Sequence, residues 1–396
     1  MSAFATWRWT TLGDECEIVS GSTPKTNEPT FWDGDIPWLT PADLSKWKGT
    51  YIDGGSRYIS EAGFNSCSAR LFPRNTVMMS SRAPIGYTAI ANREMCTNQG
   101  FKSMLPSQTV DPEWLRYFLE HALPEIKAMA SGTTFAEISG KKLGTLPMHL
   151  PSLDEQRRIV EALDDHLSRL DKALAETQNA MTKATTYWHS MLHSLLFRDD
   201  SGNLASTVQL GSLAELVMGQ APAGSDCNKN GVGTPFVKVG EFGTTSPEIK
   251  EWTTKPLKMA TSSDVLICVV GATIGKLNLG IECAIGRSVA AVRPGLKLRQ
   301  KYLYYFLQTK VLEIRASSKG SAQGVITRQQ LLEMPIPALS LDAQDRILQS
   351  LETSRRSLDD ALSDLHKVSS STSTLRRSVL NTAFTGNLRT TGNEIQ

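Results

Sequence analysis

Two stretches of the chain decide its fold: Ser152-Leu153-Asp154-Glu155-Gln156-Arg157-Arg158-Ile159 and, 188 residues later, Ser340-Leu341-Asp342-Ala343-Gln344-Asp345-Arg346-Ile347. Each follows a turn that contains proline, at 146–151 in the first case and at 335–337 in the second. Serine and aspartate accept hydrogen bonds from the free N–H groups at a helix start, and acidic residues suit the positive end of the helix dipole. Both stretches therefore predict the first turn of a helix.

Each predicted helix is long, because neither glycine nor proline interrupts residues 156–197 or 344–384. Some 40 residues at about 1.5 Å each give a helix of about 60 Å. Apolar residues recur at spacings of three, four and seven, as in a coiled-coil seam. We expect the two helices to pair antiparallel, with a globular half at each end. The seam residues are Ile159, Leu163, Leu167, Leu170, Leu174, Met181, Trp188, Leu192 and Leu195, then Ile347, Leu351, Leu358, Leu362, Leu365, Val368, Leu375 and Val379.

The similarity extends over nearly the whole chain. Leu12-Gly13 recurs as Leu210-Gly211, and residues 114–119 recur as 302–307. The offset changes only from 198 to 188 and then to 184, which indicates a tandem duplication.

We predict an α+β protein in which two homologous α/β domains are joined by two long helices that form an antiparallel coiled coil with pseudo-two-fold symmetry. The predicted segments are a first domain at 1–151, the first helix at 152–204, a second domain at 205–339, and the second helix with a tail at 340–396.

Local patterns predict matching elements inside the two domains. Residues 75–80 and 264–270 are apolar runs typical of buried strands, and each is followed by a tight loop, 81–86 or 271–275. Residues 112–119 and 300–307 carry aromatic and leucine side chains on one helical face, which predicts a helix in each domain.

Composition indicates a soluble globular protein, with 40% hydrophobic residues and a mean hydropathy of −0.22. No stretch approaches a membrane span or a secretory signal, and the six cysteines are scattered as in a reducing cytosol, so we expect a cytoplasmic protein. The net charge is only +2. Residues 205–340 carry a net +6, which favours a polyanion, whereas residues 1–150 carry −1.

Motifs for catalysis are incomplete. Residues 271–276 resemble a phosphate-binding loop but have three residues between the glycines instead of four, and Leu277 replaces the magnesium-binding Ser or Thr. Asp226 with residues 247–250 is a weak match to a nuclease cluster. His189 and His193 lie one helical turn apart without a third metal ligand in the sequence nearby. We therefore expect no catalytic residue, bound cofactor or metal in this chain.

The order of these motifs resembles the specificity subunit of type I restriction-modification enzymes. The matching pieces are Ile36-Pro37-Trp38-Leu39, residues 143–159, and Ala383-Phe384-Thr385-Gly386-Asn387-Leu388. The resemblance covers essentially the whole chain and departs at Ala343, where the first copy has Glu155.

This resemblance implies two target-recognition domains, each recognising one half of an interrupted, asymmetric site in double-stranded DNA. It also implies that partner subunits bind to this chain. Two modification subunits would hold S-adenosylmethionine and methylate adenine at N6, and restriction subunits would use ATP and Mg²⁺ for translocation and cleavage.

Candidate DNA contacts lie on polar loops that occupy similar positions in both copies. Arg or Lys suits guanine, and Asn or Gln suits adenine. We expect base-reading positions to differ between the copies, as where Arg82 is opposite Gly271 and Asn98-Gln99 opposite Gly286-Arg287. The candidates are Ser80, Ser81, Arg82, Thr97, Asn98, Gln99, Lys102, Thr133, Thr134 and Lys141 in the first domain, and Thr273, Lys276, Arg287, Ser288, Lys319, Gln323 and Arg328 in the second.

Two other classes of function remain open from the sequence. One is a stand-alone nuclease or methyltransferase, which would turn over DNA without partners. The other is a duplicated coiled-coil adaptor that binds only proteins, which would show no salt-sensitive affinity for DNA.

Overall fold

The computed structural model describes residues 7–131, 136–318 and 325–387, with the side chains of 316–318 left aside. The chain divides into two compact units. Unit 1 combines the described residues up to 177 with those from 368 onward, and unit 2 comprises the described residues from 178 to 367. Both long helices contribute to both units, whereas the sequence-based boundaries set each helix apart as its own segment. Those boundaries stay a prediction.

The strands of unit 1 form a five-stranded sheet, a three-stranded sheet and a two-stranded ribbon. Their orders are β2-β9-β6-β7-β4, β5-β3-β8 and β1-β10. The strands are β1 Arg8–Thr11, β2 Cys16–Ser20, β3 Trp32–Leu39, β4 Tyr51–Ile52, β5 Arg57–Ile59, β6 Val77–Ser80, β7 Thr88–Ala91, β8 Cys96–Thr97, β9 Phe101–Pro106 and β10 Pro147–Leu150.

The helices of unit 1 do not all share one core: most enclose the main core, the second contributes to a separate cluster and the third packs on β3 and β5. They are α1 Leu12–Glu15, α2 Pro41–Lys46, α3 Glu61–Asn65, α4 Pro112–His121, α5 Leu123–Met129, α6 Gly140–Gly144 and the first part of α7 Leu153–Leu196. The core joins Trp114 of α4, Leu163 of α7 and Met104 of β9, all of them fully buried.

Unit 2 repeats this plan with a four-stranded sheet, a five-stranded sheet and a two-stranded ribbon. Their orders are β12-β20-β17-β18, β13-β15-β14-β19-β16 and β11-β21. The elements are β11 Thr207–Gln209, β12 Ala214–Met218, β13 Cys227–Asn228, β14 Thr234–Val237, β15 Trp252–Thr253, β16 Met259–Ala260, β17 Val265–Cys268, β18 Leu277–Leu279, β19 Cys283–Ile285, β20 Val289–Pro294, α8 Gln300–Ser318, α9 Arg328–Leu332, β21 Pro335–Pro337 and α10 Leu341–Phe384. The α+β class with two homologous units and two long helices is confirmed. Among the described helices, none is long and apolar enough to cross a membrane.

The two long helices share the core of each unit. In unit 1, Phe384 near the end of α10 packs on Trp114 with ring centroids 5.5 Å apart, and Arg376 binds Glu120 of α4 and Asp171 of α7 at 2.8 and 2.6 Å. Unit 2 instead combines the end of α7 with the start of α10. In each unit, the first part of one long helix thus shares a core with the last part of the other, as expected of antiparallel pairing.

Part of the predicted seam is wrong. Val368 and Leu375 are about half exposed, whereas Thr177 and Thr372 are buried on the same two helices. Each buried threonine hydroxyl donates to the carbonyl four residues earlier in its own helix, at 2.7 and 2.8 Å. Since that hydrogen bond removes the cost of burying a hydroxyl, a seam defined by apolar residues alone misses these two positions.

The repeated glutamine fixes each helix start. The Gln156 side chain is buried; its Oε1 accepts from the Asp111 N–H at 2.8 Å and its Nε2 donates to the Thr109 and Pro151 carbonyls at 2.9 Å. Gln344 makes the same three kinds of bond to Arg299, Lys297 and Leu339. The glutamine thus ties the start of α7 or α10 to the segment that enters α4 or α8.

We expect Gln156→Ala to lower the free energy of unfolding by roughly 1–3 kcal/mol, because it strands buried backbone groups without a partner. Thermal unfolding followed by circular dichroism measures this loss. Gln178→Ala is the matched control, since Gln178 lies exposed on the same helix. An equal shift in both variants would contradict the role given to Gln156.

Candidate nucleic-acid interface

A pair of parallel strands positions the first group of polar residues in unit 1. Strands β3 and β8 pair in parallel, and the Asn98 N–H donates to the Leu39 carbonyl at 2.9 Å directly after both strands end. The backbone N–H of Thr40 donates to the Asp43 carboxylate at 2.8 Å, which turns the chain into α2. Thr40, Asn98 and Gln99 therefore lie at one sheet edge, the carboxyl end of parallel strands, where ligands commonly bind.

Unit 2 repeats this edge with different side chains. Strands β14 and β19 pair in parallel, the Gly286 N–H donates to the Val237 carbonyl at 2.9 Å, and the Lys238 N–H donates to Glu241 at 3.0 Å. The hydrogen bonds thus equate Thr40 with Lys238, Asn98 with Gly286 and Gln99 with Arg287. The correspondence expected between Asn98-Gln99 and Gly286-Arg287 agrees with this register.

The loop after β6 requires a correction to the expected correspondence. In unit 1 the Ile138 N–H donates to the Ser81 carbonyl at 3.1 Å, and in unit 2 the Ile326 N–H donates to the Val269 carbonyl at 2.9 Å. Arg82 is therefore equivalent to Val270 and not to Gly271. A backbone hydrogen bond closes each loop: the Gly86 N–H donates to the Ser80 carbonyl in unit 1, and the Gly275 N–H donates to the Cys268 carbonyl in unit 2. The loop of unit 2 is therefore one residue longer.

Arg82 belongs to a charged cluster whose three positions hold uncharged residues in unit 2. The Glu137 carboxylate lies 3.9 Å from the Arg82 guanidinium and 3.4 Å from the Lys102 ammonium. The backbone of Glu137 is held against that of Ser131 by two hydrogen bonds, at 3.0 and 3.1 Å. The residues of unit 2 at the places of Arg82, Lys102 and Glu137 are Val270, Ala290 and Val325.

Four of the candidates in unit 1 lie inside the protein. Ser80, Ser81 and Thr97 have almost no exposed surface, and the Lys102 side chain is 6% exposed beside Glu137. The Ser80 hydroxyl donates to the Pro84 carbonyl at 2.8 Å and accepts from the Tyr87 N–H at 2.9 Å, so it braces the loop. Such burial does not fit a direct contact with DNA. Strands β6 and β8 are buried at every residue, because both faces of the larger sheet are covered around β6, and the sequence interpretation did not foresee this.

The other described candidates of unit 1 reach the surface. Arg82 and Asn98 are partly exposed, and Gln99 and Lys141 are exposed. The Asn98 side-chain oxygen accepts from the Gly100 N–H at 2.9 Å, and the Gln99 side-chain oxygen accepts from the Thr23 hydroxyl. Both amides therefore keep N–H groups that can donate to a ligand.

The candidates of unit 2 differ in their hydrogen bonds within the protein and in their exposure. Lys276 donates to the Phe242 carbonyl at 2.7 Å, and the Thr273 hydroxyl lies 3.2 Å from the Cys268 sulfur. Arg287 and Arg328 are exposed, and Ser288 is partly exposed. Lys276 thus braces the loop that contains Phe242 and is itself exposed, and Arg287 is the exposed cation directly after β19.

Four candidates, Thr133, Thr134, Lys319 and Gln323, lie outside the described residues. Sequence reasoning missed Glu137, Thr40 and Lys238. The signal for the last two was available in principle, because a polar residue follows an apolar strand in both copies. No metal site is formed by three or more His, Cys, Asp or Glu side chains in the described ranges.

The model of one protein family, described as the type I restriction modification DNA specificity domain, matches residues 5–180 and again 205–365. A 159-residue segment is 41% identical to the type I restriction enzyme MjaIX specificity subunit of Methanocaldococcus jannaschii, and covers 40% of this chain but only 37% of that relative. The type I restriction enzyme EcoBI specificity subunit of Escherichia coli is 22% identical over 92% of this chain and 78% of its own length.

Solved structures share the fold at low sequence identity. A chain from a study of complex assembly and conformational transition of the type I R-M system has a TM-score of 0.80 with 24% identity, over 97% of this chain and 98% of its own. The HsdS subunit from Thermoanaerobacter tengcongensis has a TM-score of 0.53 with 24% identity, over 97% of both chains.

Proposed function

This chain belongs to the type I restriction modification DNA specificity domain family, and on that premise we propose that it is the DNA specificity subunit of a type I restriction-modification system. It recognises a bipartite, asymmetric site in double-stranded DNA, one half-site by each unit, and acts in the cytoplasm. The chain itself is non-catalytic.

One observation carries the proposal of two different half-sites. The same hydrogen-bonded sheet edge occurs in both units, but its exposed side chains differ in chemistry. Unit 1 presents Asn98 and Gln99 there, with Arg82 on the adjoining loop after β6, whereas unit 2 presents Lys238 and Arg287. A duplicated scaffold with unlike polar groups is suited to two unlike base sequences, since amides favour adenine and cations favour guanine.

The partners follow from the same premise. We infer that two modification subunits, which carry S-adenosylmethionine, dock on the long helices, and that restriction subunits bring ATP and Mg²⁺. The outer faces of α7 and α10 supply exposed charged residues for such docking, among them Arg169 and Arg356.

A purified complex of the full chain with modification subunits tests the proposal. We expect DNA affinity to fall steeply with salt, by about 0.9 in log K per log unit of salt for each phosphate neutralised. The chain alone, given DNA, Mg²⁺ and S-adenosylmethionine, should neither cleave nor methylate. Turnover by the chain alone would favour an enzyme, and a complex without salt-sensitive DNA binding would favour a protein-only adaptor.

A further inference from the structure

One pair of neighbouring positions differs between the units in a compensating way. The pair is 40 and 98 in unit 1 and 238 and 286 in unit 2, and in each unit one side chain of the pair is large where the other is small. Unit 1 has the small Thr40 beside Asn98, and unit 2 has the long Lys238 beside Gly286. A Cβ atom built on Gly286 would lie 3.0 Å from the Lys238 Cγ and 3.3 Å from the Phe236 ring. Glycine at 286 therefore leaves the space that the Lys238 side chain occupies, and the two differences between the units are coupled.

The Lys238 side chain is held at the sheet edge and remains accessible. Its ammonium group pairs with the Glu251 carboxylate and lies 5.5 Å from the centre of the Phe236 ring. The Lys238 side chain has 42% of its surface exposed, whereas the Glu251 side chain has only 18% exposed. The Glu251 carboxylate raises the pKa of Lys238 above its usual value, so the ammonium stays charged. A lysine ammonium has three donors, so pairing with one carboxylate leaves donors for a ligand.

We propose that Lys238 is a specificity-determining residue of unit 2, which donates to the acceptor edge of a guanine next to the contacts made by Arg287. Thr40 and Asn98 occupy the same place in unit 1, where the Asn98 amide takes over the contact and favours adenine. The inference rests on the proposed DNA-recognition function and names residues that carry it. In the major groove, a lysine ammonium donates to guanine O6 and N7, whereas an asparagine amide forms hydrogen bonds with adenine N6 and N7.

The test uses the full chain co-expressed with its modification subunits and a plasmid library of randomised sequence, with N6-methyladenine located by sequencing. Lys238→Thr is expected to relax the preference for guanine at one position of one half-site by roughly 5- to 150-fold, the value of about 1–3 kcal/mol for one base contact. Lys238→Arg should keep that preference, because a guanidinium also donates to guanine. Gly286→Asn combined with Lys238→Thr should shift the preference at that position toward adenine.

Lys255→Thr is the matched control, since it removes another exposed lysine of unit 2, one that pairs with Asp226. It should leave the recognised sequence unchanged, and thermal unfolding checks that each variant is folded. A uniform loss of methylation in Lys238→Thr, without a change at one base, would mean a phosphate contact and would overturn the inference. An unchanged sequence preference would overturn it too. If the wild-type complex itself methylates no defined sequence, the proposed function fails instead.

Discussion

Arg82→Ala is expected to relax or abolish recognition of one half-site while the other half-site remains fully specified. Loss of a bidentate arginine–guanine contact costs roughly 1–3 kcal/mol of discrimination. The side chain is partly exposed on the loop after β6, and its backbone is fixed by the bridge to Glu137. Removing it leaves Lys102 paired with Glu137 at 3.4 Å, so the fold of unit 1 should persist. Sequencing of N6-methyladenine on a randomised library reports each half-site separately.

Arg70→Ala is the control for charge. Arg70 is an arginine of unit 1 that is partly exposed, like Arg82, and pairs with Glu17. It should leave both half-sites unchanged, apart from a small general loss of affinity. If Arg82→Ala lost both half-sites together, the cause would be a folding defect and the assignment of Arg82 would be wrong.

A four-residue insertion in the long helices is expected to change the gap between the half-sites and not their sequences. Helix α7 contributes residues to both units, with the division after Thr177. Four helical residues add about 6 Å, which corresponds to roughly two base pairs at about 3.4 Å each. Methylation at the original gap should fall roughly a thousandfold or more, because a misplaced half-site loses several base pairs at about 1–3 kcal/mol each.

The insertion is placed after Gln178 in α7, in one variant alone and in another together with an insertion after Lys367 in α10. The control places the same four residues after Gly202, which lies in an exposed turn with open space around it. That variant should keep the original gap. An unchanged gap in the helix variants would show that α7 and α10 do not set the spacing.

The sequence predicted the architecture because the duplication and the two helix starts leave local signals. Serine favours a helix start because its hydroxyl accepts from free backbone N–H groups, and Ser152 and Ser340 do accept such bonds at 3.4 and 3.2 Å. The full extent of α8 was not predicted, although no glycine or proline occurs before Gly320. The seam was predicted only where it is apolar, since a buried threonine has no apolar signature.

The candidate site was harder to predict, because it depends on contacts between residues far apart in sequence. Loop polarity alone could not show that Ser80 and Ser81 are buried, or that Lys276 is held by a backbone carbonyl. Glu137 contacts Arg82 only because the strand pairing brings position 137 beside the loop. Lys238 was missed since its importance comes from Gly286, its neighbour across a parallel strand pair.

The most direct test of bipartite recognition is a map of N6-methyladenine in the genome of a host lacking such methylation, with and without this chain, in the presence of the modification subunits. The account predicts methylation that depends on the chain and falls within one sequence made of two different, defined parts separated by a gap of fixed length and undefined bases. A single uninterrupted sequence, or the same methylation with and without the chain, would contradict it.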